Sequence, residues 1–268
     1  MGRCATGSAA LKGLLEAEYD FARAARNSLR TAFLEYLAAD SLVLEPKPTP
    51  GPAFYGTQPD QPGALAWYPA LAELAESDDL GFTTGPWVYT AAGGGQSHGH
   101  FLSIWKCDAE CRWRVEFDGG VSHAAPVSAE PKLEPAQAVA FDRAALPPGL
   151  IAEDAVSRAI LDFQRALGQD GIAPGLRTYA RTREFRFYID GSMPMGVAAA
   201  NRYLTEHPIR GAWQEAARGR SSDSTLAYSV GVLNGTRRQS YAGVQIWQYG
   251  PRVANWGLRI LLLNPLPT

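Results

Sequence analysis

The sequence predicts an α+β fold that occurs twice in tandem, and two observations carry this prediction. Each half of the 268-residue chain opens with apolar residues at helical spacing and closes with short runs rich in aromatic and β-branched residues. That order is typical of helices followed by an antiparallel sheet. In addition, four markers of the first half recur in the same order in the second half, at offsets of 142 to 146 residues, which indicates two copies of one plan. The pairs are Phe21 and Phe163, Leu80 and Leu226, Trp105 and Trp247, and Trp113 and Trp256.

The first copy is expected to place two helices before its strands. Apolar residues between Leu11 and Ala25 form a stripe at helical spacing, and Ser28 is suited to cap a second helix over 29–39. A strand at 42–46 and a short helix around 65–77 should follow. Three strands then close the copy, and they are expected at 80–90, 100–106 and 112–118.

The second copy repeats this plan with a less similar sequence. We expect helices at 156–168 and 196–207, with strands at 184–190, 224–234, 241–249 and 255–264. The segment between the copies is rich in proline, alanine and charge, as linkers are. We therefore predict a first domain at 1–127, a linker at 128–148 and a second, structural domain at 149–268.

Composition excludes several classes of partner. The chain is 46% hydrophobic and 19% charged with a formal net charge of −2, which is typical of a globular protein with a packed core. No run of Lys and Arg indicates nucleic acid or an anionic membrane, and no apolar stretch reaches the roughly 18 residues of a membrane helix. The first 20 residues lack a secretory signal core. No nucleotide-binding or zinc-protease motif occurs, so we expect no cofactor and no metal.

The first copy resembles the SnoaL-like branch of the nuclear-transport-factor-2-like superfamily. The residues that carry the resemblance are A17-E-x-x-F21, A32-F-L-x-x-L, Gly51, L80-G-F-T-T-G-P-W87, H98-G-H-F-x-S-x-W105 and W113-x-V-x-x-D118. The resemblance implies cone-shaped domains, in which helices pack on a curved antiparallel sheet. That superfamily includes ketosteroid isomerases, dehydratases, polyketide cyclases and proteins without known activity, so it implies no single function. It also implies pairing through the sheet, here between the two domains of one chain or in a homodimer.

The segment 98–120 reads as one β-hairpin with two cysteines at its turn. If Cys107 faces Cys111, Trp105 faces Trp113 and His100 faces Asp118. Directly opposed cysteines lie close to the separation of a disulfide, which would favour the periplasm or secretion. Two reduced thiols beside a turn fit the same spacing, and Cys4 has no obvious partner in the sequence.

The expected neighbours His100 and Asp118 are the sharpest candidates for chemistry. A carboxylate beside an imidazole orients it and raises its basicity, as a general base requires. The same pair also fits a structural hydrogen bond between two strands, or ligand binding without chemistry. His98 shares a strand face with His100, and metal binding through the two is a further alternative that needs a third ligand. His123 follows Asp118 closely in the sequence.

Glu18 is the third catalytic candidate, because it lies within the apolar stripe of the first helix. A carboxylate there is either buried with a hydrogen-bonding partner or faces a polar cavity. Four aromatic residues fit either the core or the lining of a cavity, and we take them with His98 and His123 as candidate ligand contacts. The four are Trp67, Tyr68, Trp87 and Tyr89.

The second copy serves as an internal control for these candidates. At the offset of the repeat, Glu18 corresponds to Ile160, His100 to Ala242 and Asp118 to Leu261. The fold therefore does not require the polar set, and the first domain is expected to carry the site. Three hypotheses follow: binding of a small, largely apolar molecule without turnover, an isomerase, dehydratase or cyclase that uses His100 and Asp118, and an interaction module with a vestigial cavity.

Overall fold

The computed structural model describes residues 4–59, 62–138, 153–180, 184–236, 239–250 and 255–267. The chain divides into two compact units, of which the first comprises Met1–Glu45 and Thr49–Asp142 and the second Pro46–Pro48 and Arg143–Thr268. Both combine helices with one sheet, so the predicted tandem α+β class is confirmed. The second half of the predicted linker, 139–148, lies outside the described residues.

The first unit places helices on a mixed sheet. Its strands follow the order β2-β1-β7-β6-β5-β3, with β4 beside β5, and β1 runs parallel to β7. The resemblance implied an antiparallel sheet, but the parallel pair of β1 and β7 makes this sheet mixed. The elements are α1 (Ser8–Ala25), α2 (Leu29–Tyr36), β1 (Leu37–Leu44), β2 (Pro48–Pro50), α3 (Gly51–Thr57), β3 (Gly63–Trp67), β4 (Leu71–Leu74), β5 (Leu80–Ala91), β6 (Gln96–Cys107), β7 (Trp113–His123) and a 3₁₀ turn at Pro135–Gln137.

Helix α1 forms because its apolar stripe can be buried against this sheet. Leu14, Leu15 and Phe21 are almost fully buried in a core that also contains Trp105. Ser28 begins α2, as predicted, and its Oγ accepts the backbone N–H of Thr31 at 3.0 Å. This cap satisfies one of the N–H groups that a helix start leaves unpaired.

The prediction of a helix around 65–77 is wrong, because strands β3 and β4 form in this part of the chain. Both pair with β5, which is long enough to hold them end to end. A Cβ atom at Gly85 of β5 would lie 2.1 Å from the carbonyl oxygen of Tyr68. Only glycine therefore fits beside the segment that connects β3 to β4. Pairing with β5 overrides the helical preference of the alanines and leucines in this segment.

The predicted register of the β6–β7 hairpin is also wrong. Cys107 pairs with Trp113, Trp105 with Val115, and His100 with Val121. The turn holds five residues, because the carboxylate of Asp108 accepts the backbone N–H groups of Glu110 at 3.0 Å and Arg112 at 2.9 Å. A β-bulge between Ile104 and Trp105 shifts the pairing by one further residue.

The expected disulfide between Cys107 and Cys111 does not form. Cys111 lies inside the turn at a φ of 63° and bonds to Cys4 instead, with their Cα atoms 5.3 Å apart. Cys107 keeps a free thiol. The bond joins the residues before α1 to the end of the hairpin and closes a loop across 107 residues of sequence. A loop of that length makes a disulfide an effective constraint on the unfolded chain.

The second unit repeats the plan within its own sheet, of strand order β8-β12-β11-β10-β9, with β8 parallel to β12. Its elements are α4 (Glu153–Gln169), α5 (Ile172–Tyr179), β8 (Arg186–Ile189), α6 (Val197–Glu206), β9 (Gly211–Arg220), β10 (Leu226–Gly235), β11 (Tyr241–Gly250) and β12 (Asn255–Pro265). Helix α5 and strand β9 were not predicted from the sequence. The remaining helices and strands of this unit lie near their predicted bounds.

The markers of the repeat occupy equivalent positions in the two units. Trp105 and Trp247 are both fully buried, and each directly follows a β-bulge. Phe21 meets Trp105 edge to face at 6.0 Å, and Phe163 meets Trp247 in the same way at 5.4 Å. The offsets in the sequence thus reflect one core arrangement that is built twice.

Candidate functional site

Glu18 is fully buried, and both of its carboxyl oxygens have partners. Oε1 accepts the indole N–H of Trp67 at 2.6 Å, and Oε2 accepts the indole N–H of Trp105 at 3.0 Å and the hydroxyl of Thr83 at 2.5 Å. Burial raises the pKa of Glu18, although these hydrogen bonds oppose the rise. With its partners drawn from three strands, Glu18 acts as a tie between α1 and the sheet.

Asp118 stands apart from His100, which corrects the predicted pair. Its strand partner is Ser103, whose hydroxyl donates to Oδ2 of Asp118 at 2.7 Å. Burial raises the pKa of Asp118 to about 8, and the charge of Glu18 adds to the effect. Asp118 therefore does not orient the imidazole of His100, whose strand partner is Val121.

His100 instead joins a chain of three hydrogen bonds with His123 and Glu130. Nδ1 of His100 lies 2.7 Å from Nε2 of His123, and Nε2 of His100 lies 2.8 Å from Oε1 of Glu130. At the far end, Nδ1 of His123 lies 2.7 Å from the carbonyl oxygen of Ala124. Both rings are buried, and the side chain of Glu130 is 38% exposed.

The carbonyl of Ala124 fixes the direction of the first contact. It only accepts, so Nδ1 of His123 donates to it. The tautomer of His100 then decides which partner donates in the other two contacts.

The residues after β7 close one side of a cavity in the first unit. We call the segment 124–133 the strap. The hydroxyl of Tyr68 donates to the carbonyl of Glu130 at 2.9 Å, and the backbone N–H of Leu133 donates to the carbonyl of Pro69 at 2.8 Å. The hydroxyl of Tyr19 also donates to the carbonyl of Leu133, at 3.3 Å. The strap thus packs on the first unit, including its residues from 128 onwards, which we predicted to be linker.

The cavity lies between the C-terminal half of α1, β3, the paired ends of β5 and β6, and the strap, and its volume is about 650 Å³. It meets six of the predicted site residues, namely Trp67, Tyr68, Trp87, His98, His100 and His123. Tyr89, Glu18 and Asp118 do not line it. The hydroxyl of Tyr89 donates to the carbonyl of Pro62 at 3.4 Å instead.

Four charged residues of this cavity were not predicted from the sequence. Arg23 and Arg26 come from the end of α1, and Glu130 and Lys132 come from the strap. For Glu130 and Lys132 the only signal was the charged composition of the segment 128–148, which also fits a linker. No group of three His, Cys, Asp or Glu residues suited to a metal occurs among the described residues. Within the same residues, no helix is long and apolar enough to cross a membrane.

Comparison with known proteins gives similarity of fold alone. No family profile and no curated protein matches the chain. It is similar to a conserved protein from Planctomyces limnophilus, with 19% identity, 41% of this chain and 94% of that one covered, and a TM-score of 0.33. An NTF-2 like protein of unknown function from Shewanella oneidensis matches with 14% identity, 40% and 95% coverage, and a TM-score of 0.35. The Delta 5-3-ketosteroid isomerase of a Mycobacterium species matches with 16% identity, 40% and 91% coverage, and a TM-score of 0.32.

Replacing Asp118 should change how stability depends on pH. From pH 4 to about 8 the folded state keeps a proton on Asp118 that the unfolded chain has released, so the free energy of unfolding falls as pH rises. One such group contributes at most about 1.4 kcal/mol per pH unit. We expect Asp118→Asn to show a shallower fall in urea unfolding between pH 5 and 8. The exposed Asp40→Asn is the control, and equal slopes in all three proteins would refute the assignment.

Replacing Glu130 should set the tautomer of His100. In Glu130→Gln the side-chain amide donates to Nε2 of His100, and Nδ1 of His100 then donates to Nε2 of His123. Nitrogen-15 NMR of the histidine rings should then show an unprotonated Nε2 on His100. The neighbouring Glu134→Gln should behave as the wild type. A His100 spectrum that is unchanged in Glu130→Gln would contradict the contact between the two side chains.

Proposed function

We propose that the first unit binds a small, largely apolar molecule in the cavity under the strap, without turnover. The observation that carries the proposal is the cavity itself. Its volume of about 650 Å³ is in the range of small-molecule sites, and Trp67, Tyr68 and Trp87 contribute aromatic surface to it. His98 and Glu130 add a few polar groups that can orient a ligand.

The enzyme alternative loses its predicted base. His100 is not oriented by Asp118, and both of its ring nitrogens are already engaged, one by His123 and one by Glu130. A proton transfer by His100 itself would require one of these contacts to open first. Glu18 also lies outside the cavity and is fully engaged. We therefore favour binding over catalysis at this site.

We also propose that the chain works in an oxidising compartment, in the periplasm or outside the cell. The disulfide between Cys4 and Cys111 supports this location, because such bonds are rare where glutathione keeps thiols reduced. Pairing of the two domains through their sheets, or pairing of two chains, stays a prediction from the resemblance.

Filling the cavity should weaken binding without unfolding the protein. Ala66 is an exposed residue of β3 that lines the cavity, and Ala64, two residues earlier on the same strand, does not line it. Calorimetric titration with naphthalene derivatives should give saturable binding to the wild type and to Ala64→Trp. We expect at least about a tenfold loss of affinity in Ala66→Trp, a cost of about 1.4 kcal/mol.

Thermal unfolding of each variant provides the folding control. Ala64→Trp and Ala66→Trp should melt close to the wild type, since both positions are exposed. Equal binding by the wild type and Ala66→Trp would place the ligand elsewhere and overturn the proposal. The absence of saturable binding to the wild type would also overturn it.

A further inference from the structure

Basic side chains outnumber acidic ones around the cavity. Arg23, Arg26 and Lys132 are basic and exposed, and Glu130 is the one carboxylate among the described residues that line the cavity. Asp20, which does not line it, pairs with Arg23 on the surface of α1. Neither Arg26 nor Lys132 makes an ion pair in the described part of the chain.

Glu130 does not pair with these basic groups. Its Oε1 lies 2.8 Å from Nε2 of His100, and it makes no ion pair with Arg26 or Lys132 among the described residues. Of the residues that the structure describes, three basic side chains and one carboxylate therefore line the cavity, and its rim carries a net positive charge.

The rest of the lining is apolar and aromatic. Trp67 and Trp87 contribute ring surface, and Ala22, Pro86 and Pro126 add aliphatic surface without charge. Lys132 holds its ammonium group 5.0 Å from the centre of the Tyr68 ring, so the positive charge lies directly beside the aromatic surface. A ligand that matches this arrangement has an apolar ring body and one anionic group at its end.

We propose that the cavity selects amphipathic organic anions, with an aromatic or alicyclic body and a carboxylate head group. The body packs against Trp67 and Trp87, and the head group lies between Arg26 and Lys132. This inference rests on the proposed function of the cavity and adds the charge of the ligand to it. A basic end of α1 alone would not carry it, since cations commonly complement a helix C-terminus. The inference also rests on Lys132, a second basic group that lies on the strap and not on α1.

A matched pair of probes tests the charge. 2-Naphthoate and 2-naphthamide share one ring system and differ in the charge of the head group. Calorimetric titration at low salt should show 2-naphthoate binding about tenfold more tightly to the full chain, with the advantage decreasing as salt is added. The double variant Arg26→Gln with Lys132→Gln should lose that advantage and keep its affinity for 2-naphthamide. Arg165→Gln, on an exposed face of α4, is the charge control.

The outcomes separate this inference from the proposed function. Equal affinity for the two probes, or tighter binding of 2-naphthamide, would overturn the preference for anions and leave cavity binding in place. An equal loss of affinity for both probes in the double variant would also overturn it. The basic groups would then support the shape of the cavity and would not recognise the charge of the ligand. If neither probe binds the wild type, the proposed function fails together with the inference.

Discussion

The buried carboxyl of Glu18 is the constraint around which the first unit is arranged. A carboxyl without access to water must be satisfied by donors inside the protein, and the indoles of Trp67 and Trp105 and the hydroxyl of Thr83 provide them. The three donors come from β3, β6 and β5, so one side chain fixes the helix against three strands. Trp67 is held by its N–H in this contact while part of its ring lines the cavity. The tie within the core thus positions one wall of the candidate site.

The second unit shows that the frame does not need this tie. Ile160 stands where Glu18 would be and is fully buried beside Phe163 and Trp247. The indole N–H of Trp247 donates at 3.2 Å to the side chain of Gln245, which replaces Ser103 of the first unit. Apolar packing around the tryptophan therefore suffices to build the core. The polar groups of the first unit are therefore additional to a core arrangement that both units share. They occur in the same unit as the histidine chain.

The sequence predicted the parts of the fold that depend on spacing along the chain, and it failed where distant segments decide. The offsets of Phe21 and Trp105 identified the repeat, because core residues at equivalent positions share one environment. The strands β3 and β4 were mistaken for a helix, because their pairing with β5 is not visible in local composition. The pair of His100 and Asp118 depended on the hairpin register, which the five-residue turn and the bulge changed. Glu130 was missed because its partner His100 lies 30 residues away.

The central claim is that a ligand occupies the cavity under the strap and contacts Trp67 and Trp87. The most direct test is to follow the indole N–H resonances of the protein, labelled with nitrogen-15 tryptophan, while 2-naphthoate is added. The account predicts that the resonances of Trp67 and Trp87 move together and saturate, while those of Trp247 and Trp256 in the second unit stay in place. Saturating shifts confined to the second unit, or no shift at Trp87, would contradict it.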